Sequence, residues 1–167
     1  LQRNADNKLL TEIAPDEFPI VQHIYLQELH DLAKAFNRNR HLPFSSERTY
    51  EGDRIAYKMR AIAPILFERI DVKKWVHSAN WGKRLAAIKY LDWAQDIENL
   101  DDLLDRLLKE GNFTQYHIRL AIANMADQFT NEEHRELLEI KLKEYNPPSG
   151  SDREAWVKYI ITSLPKK

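Results

Sequence analysis

The sequence predicts an all-α protein, and three observations carry that prediction. Glycine is scarce, 4 of 167 residues, while leucine, alanine, lysine and glutamate are abundant, a composition that favours helix over strand. Leu100, Leu103, Leu104, Leu107 and Leu108 fall at i, i+3, i+4, i+7 and i+8, the apolar stripe of an amphipathic helix. Residues that start helices stand ahead of the apolar runs, and residues that stop them stand behind. Together these features predict about eight helices and no strand.

The first helix opens near Asp16 and runs through "DEFPIVQHIYLQELHDLAKAF", where Ile20, His23, Ile24, Leu26, Leu29 and Leu32 recur close to helical spacing. The polar stretch "NRNRHLPFSS", Asn37 to Ser46, reads as a loop broken by Pro43 and two serines. "EGDRIAYKMRAIAPILFERI" reads as a second helix with Pro64 as a kink or early stop. Asp71 is placed to cap the short "VKKWVH", and Ser78 or Asn80 to cap the helix that follows. Asn99 precedes the leucine stripe and Gly111 is placed to end it in a left-handed conformation. Thr114 is placed to cap the next helix, and "TNEE" (Thr130 to Glu133) and "SDRE" (Ser151 to Glu154) have the capping-box arrangement. "NPPSGS", Asn146 to Ser151, reads as a linker before a last helix from about Asp152 to Leu164. The division expected is an N-terminal helix and loop over 1–46, then helical repeats with a C-terminal capping helix over 47–167. The two parts form one compact domain, a size that buries a core without staples.

Lys plus Arg (25) against Asp plus Glu (26) gives a formal net charge of −1, so no bulk attraction to nucleic acid or to an anionic membrane is implied. The apolar run "AIAPILF" is far shorter than the roughly 20 residues a membrane helix requires, and no membrane insertion of this segment is expected. The absence of cysteine excludes disulfides and thiolate chemistry and fits a reducing compartment, so a cytoplasmic location is expected. A start at Leu1 with "LQRNADNK" reads as part of a longer protein.

"KRLAAIKYLD" (Lys83 to Asp92) and "IRLAIANMAD" (Ile118 to Asp127) match at an offset of 35 residues. Arg84 pairs with Arg119, Leu85 with Leu120, Ala86 with Ala121 and Asp92 with Asp127. A weaker copy lies around Arg54. Ala86, Ala87, Tyr90, Leu91 and Ala94 cover one broad face of a helix while Leu85 and Ile88 point elsewhere, so that helix must lie between neighbours. An outer striped helix, a short turn and an inner helix beginning with Arg make one unit of a helical solenoid.

"LDDLLDRLLKEGNFTQYHIRLAIANMADQF" resembles a HEAT repeat, whose second helix opens with Arg followed by small and apolar residues. "IDVKKWVHSANWGKRLAAIKYLDWAQD" looks like a degenerate copy. The resemblance implies an α-α superhelix of HEAT-like helical hairpins, with Arg84, Asp92, Arg119 and Asp127 as structural repeat positions. HEAT repeats often carry Asp about six residues before the Arg; Ser78 and Phe113 stand there instead, so the usual Asp-to-Arg ladder has no Asp in either copy.

No catalytic chemistry is expected. No two of the six histidines are spaced i, i+4 and no HExxH occurs, so no metal is expected. No serine lies in a GxSxG elbow, and the glycines are too scattered to cradle a phosphate, so no cofactor is expected. Asp101, Asp102 and Asp105 complement a helix N-terminus. The candidate interaction surface is "KKWVHSANWGKR", which interleaves Trp75 and Trp81 with Lys73, Lys74 and Lys83. Tyr116 and His117, in the turn ahead of Arg119, join it as candidates because inter-helix turns line one edge of a solenoid. The expected function is a non-catalytic scaffold or protein-interaction module, with a protein partner or adjacent domains of the same chain. The alternative is nucleic-acid binding. The HEAT-like family includes DNA glycosylases that use tryptophans and a carboxylate on a concave surface, so the resemblance also draws attention to Trp93 beside Asp92.

Overall fold

The structure, a computed structural model, describes residues 13–129 and 132–163. Among the described residues there are eight α-helices, three 3-10 segments and no strand, the class and helix number that composition and periodicity predict. The chain divides into two units, Leu1–Ala94 and Gln95–Lys167. The first helix, which the sequence set apart with residues 1–46, belongs to the same unit as the three helices after it.

In the first unit, α1 (Phe18–His41) begins with Pro19 in its first turn, where a missing N–H costs nothing. It does not stop at Phe36 but runs on through Asn37 and Asn39 to His41. Asparagine favours turns when its amide is satisfied locally; here both amides are spent on other elements. Asn39 Nδ2 donates to the Arg48 carbonyl (2.9 Å) and Asn37 Oδ1 accepts from the Gly82 N–H (2.9 Å). The stop comes at Leu42, which is extended as the residue before a proline must be. Ser45 Oγ accepts from the Arg48 N–H (3.1 Å) and caps α2 (Ser46–Ile62). Helix α2 therefore starts within the stretch expected as loop. Pro64 ends it, and the chain tightens into the 3-10 segment Ala63–Leu66. Asp71 caps α3 (Val72–Val76) through Lys74 N–H (3.0 Å). Asn80 Oδ1 accepts from Lys83 N–H (2.9 Å) at the start of α4 (Trp81–Ala94). Gln95 is left-handed (φ 54°) directly after that helix.

Helix α4 is the centre of this unit. Every residue from Arg84 to Asp92 is buried, and α1, α2 and α3 all pack on it, so a helix apolar on several sides finds a neighbour on each. Leu29, Ala33 and Phe36 of α1, Ile55, Ala56 and Met59 of α2, and Leu85, Ile88 and Leu91 of α4 form the core. The crossing with α1 is unusually close. A Cβ on Gly82 would lie 2.0 Å from the Ala33 carbonyl oxygen.

In the second unit, Asp96 Oδ1 accepts from Glu98 N–H (3.1 Å) to cap the 3-10 segment Ile97–Asn99, which leads into α5 (Leu100–Lys109). Leu100, Leu103, Leu104 and Leu107 are buried and Leu108 half-buried, the one-sided stripe the spacing predicts. Gly111 does not end α5 in a left-handed state; it is extended (φ −78°, ψ 167°) and stands at the N-cap of α6 (Asn112–Asn124). Thr114 accordingly lies inside α6 and is buried. The carbonyls at the end of α5 are met by Gln115, whose Nε2 donates to Leu107 (3.1 Å) and Glu110 (2.8 Å), a tertiary solution to a terminus glycine was expected to solve.

After the 3-10 segment Ala126–Gln128, α7 (Glu132–Tyr145) lies against α5, with Lys141 Nζ 2.5 Å from Asp105 Oδ1. The hydroxyl of the expected Thr130 cap lies outside the described residues. Asn146 (φ 35°) and Gly150 (φ 75°) turn the chain into α8 (Asp152–Ser163). There Ser151 Oγ accepts from Glu154 N–H (3.2 Å) while Glu154 Oε2 accepts from Gly150 N–H (2.7 Å), a capping box closed one residue early.

Gly82→Ala is expected to lower stability by at least about 2 kcal/mol, because backbone rather than a flexible side chain must yield. Gly111→Ala, whose Cβ meets nothing within 4 Å, is expected to cost less than about 1 kcal/mol; denaturant midpoints at unchanged m-value read both. Hydrogen bonds from Gly150 N–H and then Lys158 hold the Glu154 carboxyl below its ordinary 4.5. A depressed native pKa adds stability above the unfolded value that is lost as pH falls through the native one. The α8 amides are therefore expected to lose hydrogen-exchange protection on acidification below pH 4.5, a trend Glu154→Gln removes.

Candidate interaction surface

The Asp71 cap orients α3 so that Val76 enters the core while Lys73 and Lys74 stay exposed. Trp75, between these extremes, is half-buried. Its ring lies 5.4 Å from the His30 ring of α1, and Lys83 Nζ of α4 stands 5.5 Å from its centroid. A cation at that distance is attracted to the ring face. Trp81, the first residue of α4, is 41% exposed and lies 5.2 Å from His41. The structure thus sets Lys83 beside Trp75 and sets Trp81 against His41, and it leaves Lys73 and Lys74 exposed on α3.

Sequence reasoning missed the histidine side of these contacts. His30 and His41 are three helical turns apart on one face of α1, and each meets one tryptophan. Beyond His41, the α1–α2 turn presents Leu42 at 56% and Phe44 at 86% exposure. The spacing of the two histidines was a signal in principle, but nothing local assigns it a tryptophan partner.

Tyr116 and His117 belong to the second unit, on α6. Tyr116 is exposed; His117 is buried with its ring 4.8 Å from Phe113 and 5.3 Å from Tyr116.

The repeated Arg and Asp letters perform different tasks. Arg84 Nη1 donates to the Ser78 (2.8 Å) and Ala79 (3.0 Å) carbonyls, closing the turn between α3 and α4. Asp92 is buried in α4, where it accepts from Arg60 Nε of α2 (3.2 Å) and from Lys89 Nζ one turn earlier. Burial pushes the Lys89 ammonium below the usual lysine range, against the pull of Asp92. Arg119 pairs with Asp152 of α8 (Nη2 to Oδ2, 3.3 Å), and Asp127 is exposed in the third 3-10 segment.

Trp93 packs edge-on against Tyr90 (5.6 Å) and lines a cleft of about 530 Å³ together with Phe18, Gln22, Pro64, Phe67 and Arg69. Trp75, Trp81 and Trp93 are therefore neither core nor free surface; each has a ring partner and part of its area in solvent. No described helix is long and apolar enough to cross a membrane. Comparison with models of protein families, with curated proteins and with solved structures gives no significant match.

Removing one member of a buried ion pair strands the other. Asp92→Ala removes the carboxylate that accepts from the buried Lys89 ammonium and is expected to cost about 3–5 kcal/mol. Lys89→Met keeps the volume and leaves Asp92 with Arg60, so its cost is expected to stay below about 2 kcal/mol. Urea unfolding of the two variants side by side checks the order.

Proposed function

We propose that the chain is a non-catalytic protein-interaction module built of HEAT-like helical hairpins, and that it binds its partner at the α1–α2 turn and the start of α4. The observation that carries this reading is the exposure of Phe44, Leu42 and Trp81 next to His41. Large apolar and aromatic side chains grouped at a surface are the anchors of protein interfaces. Lys73, Lys74 and Lys83 belong to the same unit, with Lys83 only two residues beyond Trp81, and they favour a partner that is acidic around an apolar anchor, since complementary charge speeds encounter and selects against wrong partners.

Nucleic-acid binding is the second reading, favoured by the same three lysines beside an indole. It has less support, because Trp75 already has His30 and Lys83 against its ring and so offers little surface on which a base can stack. Asp92, the carboxylate a glycosylase-like reaction would need, is buried and held by Arg60 and Lys89.

Phe44→Ala is expected to leave the denaturation midpoint within about 0.5 kcal/mol of wild type, as an exposed side chain without buried partners should. With a photo-crosslinker at Leu42, wild type is expected to capture one discrete protein, with the yield falling at least about tenfold in Phe44→Ala. Retention on single-stranded DNA that is steeply salt-dependent and lost in a Lys73→Glu, Lys74→Glu variant would overturn this reading in favour of the second.

A further inference from the structure

The second unit holds a buried cation with more donors than acceptors. Arg119 lies on α6 with its side chain 9% exposed, and its guanidinium carbon is 5.9 Å from the ring centroids of both Tyr116 and Trp156. Asp152 is its one ion-pair partner among the described residues, at 3.3 Å, and that carboxylate is 80% exposed. Among the described residues, Arg119 Nε has no acceptor, and neither does the indole Nε1 of Trp156, although both atoms are shielded from solvent. A guanidinium carries five N–H donors, and each buried donor left unmatched is costly. Two such donors on neighbouring side chains mark a place for acceptor oxygens.

The charges and the approach fit one class of acceptor. Arg119 is paired with Asp152 (3.3 Å), and the neighbouring Arg153 reaches Gln115 beside the Tyr145 hydroxyl, so two arginines and one aspartate leave an excess of one positive charge. Arg153 Nη1 donates to Asn112 Oδ1 (3.0 Å) and approaches Gln115 Oε1 (3.5 Å), the acceptor of the Tyr145 hydroxyl. The exposed Tyr116 and Asp152 bring the cluster to the surface.

We propose that Arg119, flanked by Tyr116 and Trp156, is a binding site for a monoanionic organic carboxylate, which takes the position that the Asp152 carboxylate partly fills. A planar carboxylate matches the guanidinium fork with two parallel hydrogen bonds and lies flat beside the two rings. A phosphate dianion next to Asp152 would exceed the local positive charge. This proposal stands on residues of the second unit and does not depend on the interaction surface of the first.

The test is a titration of the full chain with acetate and with benzoate at constant ionic strength, following the Arg119 Nε–H and Trp156 indole N–H resonances. Both signals are expected to shift saturably, with a dissociation constant on the order of millimolar for one charge-assisted contact. Asp152→Asn removes the competing carboxylate from an exposed position and is expected to tighten binding about two- to fivefold. Arg119→Lys keeps the charge but loses the fork and is expected to weaken it at least about tenfold. Shifts that grow linearly without saturating, an equal response to chloride, tighter binding of inorganic phosphate, or unchanged affinity in Asp152→Asn would each overturn the proposal and leave Arg119 as a strut between α6 and α8. Should Arg119→Lys fail to fold, wild type and Asp152→Asn decide alone.

Discussion

The close crossing of α1 and α4 at Gly82 is the constraint on which the first unit depends. With no Cβ in the way, the backbone of α4 reaches the Ala33 carbonyl, and the Gly82 N–H, an orphan donor of a helix's first turn, is met by Asn37 from the opposite helix. That contact fixes where α4 starts along α1. Trp81 is thereby set against His41, and Lys83 is carried over Trp75. The positions of Trp81 and Lys83 are thus a by-product of one backbone approach, and the core positions from Leu85 to Leu91 follow from the same axis.

Helix α4 also shows how charge is admitted to a core. Lys89 and Asp92 are both buried, one turn apart, and Arg60 reaches in from α2. Desolvation opposes this arrangement, as the depressed Lys89 shows, so its contribution is better understood as selectivity than as net stability. Only with α2 in register does Asp92 gain its second cation. After α6 the corresponding Asp127 is exposed in a 3-10 segment, and the burden of pairing with Arg119 falls on Asp152, 33 residues further on. Equal letters at equal spacing therefore report a shared helical pattern, while the partners come from whichever element packs alongside.

Legibility in the sequence follows the range of the interaction. The leucine stripe of α5, the Asp71 cap, the choice of Ser78 or Asn80 for α4 and the break at Pro64 depend on residues within one or two turns, and all were readable. The end of α1 was not, because Asn37 and Asn39 behave as turn formers only when their amides bond locally, and here they bond across the unit. Gly111 and Thr114 misled for the same reason: Gln115 from the next helix satisfies carbonyls at a terminus that a left-handed glycine was expected to close. At the surface, the tryptophans and lysines were legible as residue types at close spacing. Their histidine partners, and the two N–H groups without acceptors around Arg119 and Trp156, appear only when helices distant in sequence are placed side by side.

The Gly82 contact carries a consequence for the order of folding. The Asn37 to Gly82 hydrogen bond spans 45 residues, whereas the Gln115 to Leu107 bond that joins α5 to α6 spans 8. Closing the longer loop costs about 1.5 kcal/mol more in chain entropy, and the contacts between α1 and α4 form only once it is closed. Local contacts generally form faster than non-local ones. The α5–α6 hairpin is thus placed to be ordered while α1 is still searching for the groove that only a glycine leaves open.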